Sequence, residues 1–122
     1  NYVNPKKNKK FLHVNSGLNH FIRPMFYGSR HSIINITSKT KEEENYSVVG
    51  YVCETDTFAE NISLNKTSEG DILCFKNAGA YCFSMSSNYN SRLKPAEVLI
   101  SKKGIRLIRK REEFKDLLKN QL

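Results

Sequence analysis

Apolar residues in this chain arrive in strand-length runs, and residues that turn the backbone close each run. That pattern commits most of the polypeptide to β structure. Tyr46 to Cys53 is a β-branched and aromatic stretch suited to a buried strand. His31 to Thr37 alternates around Ile33, Ile34 and Ile36, and Ile72 to Phe75 follows a turn at Ser68-Glu69-Gly70-Asp71. Ala96 to Ser101 and Ile105 to Arg109 flank Lys102-Lys103-Gly104, a hairpin connection with glycine at its tip. Phe11 to Val14 is predicted to pair with Tyr2-Val3 across the Lys/Asn turn at 6–10, and Lys39 to Asn45 reads as a charged loop. Two segments read differently. Pro24 can open one helical turn near 23–28. A terminal helix is predicted over 112–120, where Phe114, Leu117 and Leu118 share a face and Glu112, Glu113 and Lys119 suit the helix dipole. Seven or so short strands and one terminal helix predict a mainly β fold, a barrel or sandwich.

At 122 residues the chain is expected to form a single domain, 1–122, large enough for its own core. No apolar run approaches the ~18 residues of a membrane span, so no membrane association is expected. The start has neither an initiator methionine nor the apolar core of a signal peptide, and opens mid-pattern like a piece of something longer. Three cysteines, Cys53, Cys74 and Cys82, are odd in number and widely spaced. They form no CxxC pair, so no metal site is expected, and they fit the reducing cytoplasm better than a disulfide framework. The N-x-[ST] triads at Asn35, Asn45, Asn61 and Asn65 read as chance in an Asn-rich chain. The net charge of +8 reads as solvated turn and strand faces. A basic surface can also serve nucleic acid or small anions.

The segment most costly to keep for folding alone is Gly79-Ala80-Tyr81-Cys82-Phe83-Ser84-Met85-Ser86-Ser87-Asn88-Tyr89-Asn90-Ser91-Arg92. It reads as a strand breaking into a polar, aromatic loop, with Gly79-Ala80 allowing close approach to the backbone. This segment resembles the GAY-x-FSM-x-SNYNSR stretch of diaminopimelate decarboxylases. Three further segments, in the same order, carry the resemblance: Ser16 to Gly28 (SGLNHFIRPMFYG), Val49 to Phe58 (VGYVCETDTF), and Pro95 to Leu99 with Arg109 to Glu112. Asp56-Thr57 stands where many members have Gly-Asp.

The resemblance implies the C-terminal sheet domain of a pyridoxal 5'-phosphate enzyme whose N-terminal (α/β)8 barrel is absent here. It implies a parent that converts meso-2,6-diaminopimelate to L-lysine as a homodimer with shared active sites. The Schiff-base lysine and the phosphate loop belong to the barrel, so this chain alone is expected to be inactive. Residue by residue, Arg23 would bind the distal carboxylate of the substrate, with Tyr27 as a second contact. Cys53 would be the general acid, and Glu54 would neutralise the distal ammonium. Tyr81 would face both cofactor and substrate. The Cys53-Glu54 pair would reach the site of the other subunit, and residues 88–92 would shape the loop and the subunit contact.

The chemistry agrees with these roles. A guanidinium grips a carboxylate through two parallel bonds, and a thiol can be tuned towards neutrality to give up a proton. Alternatives remain at each position: a surface ion pair of Arg23 with Glu42 or Glu43, a core-edge place for Tyr27, a small buried hydrophobe for each cysteine. Two other functions stay open. One is a decarboxylase of the same fold acting on ornithine, arginine or carboxynorspermidine. The other is a basic nucleic-acid module, for which Tyr89 beside Arg92 is the only stacking pair.

Overall fold

The computed structural model describes the backbone of residues 2–6 and 9–122 and the side chains from residue 9 onward. Of the Lys/Asn turn expected at 6–10, residues 7 and 8 lie outside the described residues. The mainly β class holds, with eight strands among the described residues. They pair as three open sheets rather than one closed barrel.

The largest sheet has the order β1-β2-β4-β5. β1 (Tyr2–Lys6) and β2 (Lys9–His13) form the expected antiparallel hairpin, with Tyr2 opposite His13. β2 then pairs in parallel with β4 (Glu43–Val49), Leu12 opposite Val48. Both of these side chains are sealed from solvent. A parallel pair needs a long crossover. That crossover carries α1 (Arg23–Tyr27) and β3 (Ile33–Asn35), and this is how Arg23 reaches the edge of the core.

β5 (Thr57–Asn65) is the longest strand and has no counterpart in the sequence pattern. Glu60 and Asn61 interrupt its apolar positions because the backbone bulges there. Asn61 sits at φ 48° where the β4–β5 register shifts, and its N–H reaches Ser47 Oγ at 3.4 Å. β4 also starts earlier and ends earlier than the pattern suggests. Glu43 and Glu44 pair with Asn65 and Leu64, and the strand stops before Gly50.

β3 pairs with β6 (Leu73–Phe75). The turn before β6 is the expected one: Gly70 takes φ 90°, and the Asp71 carboxylate accepts from Ser68 N–H, Asn35 Nδ2 and Thr37 Oγ1. Those donors hold Asp71 below the ordinary carboxylate range, Ser68 foremost. The core beneath collects Val14, Phe21, Ile33, Tyr46, Phe58 and Leu64 around Leu12 and Val48. Phe75 meets Phe58 edge-on, ring centres 4.9 Å apart.

The segment from Gly79 departs from expectation. It is a short helix, α2 (Gly79–Cys82), not a strand. Asn77 at φ 56° turns the chain out of β6, and the small residues that follow close a helical turn. A Cβ on Gly79 would meet nothing within 4 Å, so the close approach expected there is absent among the described residues. β7 (Glu97–Ser101) and β8 (Gly104–Arg109) form the expected hairpin, with Gly104 at φ 113°. The terminal helix is shorter than 112–120. It is α3 (Phe114–Leu118), because Glu113 acts as its N-cap in a reciprocal pair with Asp116. Glu112 is engaged elsewhere, accepting from Asn88 Nδ2 at 2.6 Å and Lys94 N–H at 2.8 Å. Among the described residues no helix is long and apolar enough to cross a membrane.

Candidate functional site

Pro24 starts α1, and Gly28, at φ 62°, ends it with a left-handed cap. The single turn between them sets Arg23 and Tyr27 on one face, as i,i+4 spacing requires. The Arg23 guanidinium carbon lies 5.2 Å from the centre of the Tyr27 ring. α2 brings in Tyr81, whose ring centre lies 4.6 Å from the same carbon. The guanidinium is thus held between two phenols that are each more than half exposed, 58% and 51%. The surface ion pairs available to Arg23 do not form. Glu42 pairs with Lys66 at 3.6 Å, and Glu43 accepts from Ser63 Oγ at 2.6 Å. Among the described residues Arg23 has no carboxylate partner, while its neighbours hold its fork in place.

Cys53 and Glu54 stand together on the bend 51–55 that follows β4, and both are exposed. The Tyr89 hydroxyl donates to Glu54 Oε1 at 2.5 Å, and this bond raises the Tyr89 pKa above the ordinary phenol value. Tyr89 opens a 3-10 turn, Tyr89–Ser91, bent by Asn90 and Ser91, both at φ 55°. Arg92 meets a different residue of the same bend, its guanidinium carbon 4.3 Å from the centre of the Tyr51 ring. Tyr89 and Arg92 therefore serve separate partners and do not form one stacking platform.

The site residues make two groups, Arg23-Tyr27-Tyr81 and Cys53-Glu54-Tyr89. Among the described residues no hydrogen bond, ion pair or ring contact joins them. Beneath the second group lies a polar knot that sequence reasoning missed. Asp56 is 5% exposed and accepts from Leu18 N–H at 2.7 Å and Val52 N–H at 2.9 Å. Burial raises its pKa, and the two amides partly oppose that shift. Tyr51 donates its hydroxyl to Asn19 Oδ1 at 3.1 Å, and Asn19 is fully buried with its Nδ2 unpartnered. His20 donates from Nε2 to Leu93 O at 3.2 Å and meets Ser16 Oγ at Nδ1. Its pKa is lowered, mainly by burial. Cys74 and Cys82 are half-buried and unpaired, and burial raises the Cys82 thiol.

A cleft of about 620 Å³ opens between His20, Phe21, Phe75, Cys82 and Arg111, and a second of about 440 Å³ lies under the β7–β8 hairpin. Neither is lined by Arg23, Tyr27, Tyr81, Cys53 or Glu54.

Residues 1–79 match the family model of the pyridoxal-dependent decarboxylase C-terminal sheet domain. The chain belongs to this family. Sheet domains close to it occur in diaminopimelate decarboxylases of Methanothermobacter thermautotrophicus, 47% identical over 93% of this chain and 27% of that enzyme, and of Campylobacter jejuni, 45% identical over 94% and 29%. The crystal structure of the M. jannaschii diaminopimelate decarboxylase in complex with L-lysine superposes with a TM-score of 0.93 at 38% identity, over 99% of this chain and 28% of that one. The sheet domain described here thus spans less than a third of the enzymes it matches. A pyridoxal-dependent family implies a pyridoxal cofactor, held as a Schiff base on a lysine amine. No lysine lines either of the two clefts.

Proposed function

We propose that this chain is the substrate-recognition and dimerisation domain of a diaminopimelate decarboxylase, which converts meso-2,6-diaminopimelate to L-lysine and carbon dioxide. The observation that carries the proposal is Arg23: a half-buried arginine whose guanidinium is held between Tyr27 and Tyr81, with no carboxylate of its own among the described residues. Such a fork is ready for a carboxylate brought by a ligand. Arg23 then binds the distal carboxylate and Tyr27 adds a second contact. Tyr81 faces the cofactor, pyridoxal 5'-phosphate, and the bound substrate. Cys53 Sγ returns a proton to the substrate carbon that has lost carbon dioxide. Glu54, oriented by Tyr89, pairs with the distal ammonium.

The separation of the two groups fits a homodimer in which Cys53 and Glu54 complete the site of the other subunit. Exposed apolar side chains on β7, β8 and α3, among them Ile100, Ile105 and Phe114, support docking against a barrel and a second copy. Three unpaired thiols fit a reducing compartment, and we place the enzyme in the cytoplasm.

The nearest rival is a decarboxylase of ornithine or a similar amine acid, which has no second carboxylate for Arg23. Given both substrates, the full-length enzyme is expected to turn over diaminopimelate at least about 10²-fold more efficiently, because a polar site rejects a ligand that leaves its groups unpaired. Turnover of ornithine alone would refute the assignment. Purified by itself, the 122-residue chain is expected to show neither a visible pyridoxal absorption band nor carbon dioxide release. Either signal would refute the division of labour between barrel and sheet domain.

A further inference from the structure

We infer that Asp56 is a positioning residue for Cys53, a clasp that shuts the 50–56 loop and sets where the thiol stands. The inference rests on the proposed role of Cys53 as proton donor. Residues 51–55 are a run of bends with no strand partner, so the loop needs other anchors. Asp56 supplies three of them. Its carbonyl accepts from Gly50 N–H at 2.7 Å, and its Oδ2 accepts from Val52 N–H at 2.9 Å, so the loop closes on itself. Its Oδ1 accepts from Leu18 N–H at 2.7 Å, and Tyr51 N–H donates to Ser16 O at 3.1 Å, which ties the loop to the 16–20 segment.

The space is shaped for this carboxylate. A Cβ on Gly50 would fall 2.1 Å from Asp56 Oδ2, and one on Gly17 would fall 2.9 Å from it. No cation lies in ion-pair range of Asp56 among the described residues, so backbone amides offset the cost of burying it. The clasp brackets the exposed Cys53 on the chain, with Val52 directly before it and Asp56 three residues after it. A shift of about 1 Å at a reacting group can cost about 10²-fold in rate.

Asp56→Asn keeps the size of the side chain and turns one of its two acceptors into a donor facing an amide. In the full-length enzyme it is expected to lower kcat about 10- to 100-fold and leave KM within about threefold. Combined with Cys53→Ala it should add less than about threefold to the loss from Cys53→Ala alone, because coupled residues are not additive. Losses that multiply in full would overturn the clasp. An unimpaired Cys53→Ala enzyme would instead overturn the proton-donor role. The clasp then stands or falls on iodoacetamide labelling of Cys53, read by peptide mass. Its rate should change severalfold in Asp56→Asn while that of Cys74 and Cys82 does not, and an unchanged rate overturns the clasp. Should Asp56→Asn fail to fold, amide exchange in the unmutated enzyme decides. Leu18 and Val52 should exchange as slowly as β4, and open-loop rates at both would overturn the inference.

Discussion

Replacing Cys53 with alanine in the full-length enzyme is expected to lower kcat about 10²- to 10⁴-fold, the usual contribution of a positioned general acid. KM should stay within about threefold, because the proton moves only after carbon dioxide has left and ground-state binding does not sense the donor. The structure removes the usual confounder. Cys53 is exposed on a bend, so truncating it opens no cavity, and the effect on stability should stay within about 0.5 kcal/mol. Serine is nearly the same shape and should rescue little, since a hydroxyl is a far weaker acid than a thiol. Steady-state kinetics of the alanine and serine enzymes, with melting curves as control, check this. A full-rate alanine enzyme would leave Cys53 a bystander and pass the acid role to another group.

Local chemistry made some of this architecture legible in the sequence. The β7–β8 hairpin was readable because Gly104 supplies the positive φ that the tip requires. The α1 turn was readable because Pro24 and Gly28 bracket it, and i,i+4 spacing then put Tyr27 beside Arg23. What could not be read depends on tertiary contacts. β5 hides its strand character behind a bulge at Asn61, and α2 replaces a strand because Asn77 redirects the chain after β6. Tyr81 reaches Arg23 because α1 and α2 pack on one core through Met25 and Cys82, which no spacing encodes.

The site shows the same division. The residue types of Arg23, Cys53 and Glu54 suggest chemistry, but their roles came from resemblance in four ordered segments. Asp56 stood out only as a departure from the family pattern, yet its carboxylate is buried between two glycines whose missing side chains make room for it. Tyr89 was expected to shape the loop and the subunit contact, and its bond to Glu54 needs the 3-10 turn to fold back across the bend. A buried acid neutralised by backbone amides leaves no sequence signature, because the amides belong to every residue.

Replacing Arg23 with alanine should give the opposite kinetic pattern. The distal carboxylate of diaminopimelate is untouched by the reaction and persists in L-lysine. Bonds to it are therefore as strong in the ground state as in the transition state, and their loss is uniform. Two charge-assisted bonds at the low end of about 1.5–3 kcal/mol each predict a KM raised about 10²-fold or somewhat more, with kcat within about threefold. Competition by L-lysine should weaken by the same factor, whereas binding of a diamine with no carboxylate should hardly change. Lysine at this position restores the charge but not the fork, and should recover only part of the loss. Some stability is also at stake. Losing the guanidinium between Tyr27 and Tyr81 removes two cation–π contacts of about 0.5–1 kcal/mol each, a modest fall in melting temperature measurable beside the kinetics. A tenfold fall in kcat at unchanged KM would contradict uniform binding and move Arg23 from holding the far end of the substrate to acting on the reacting end.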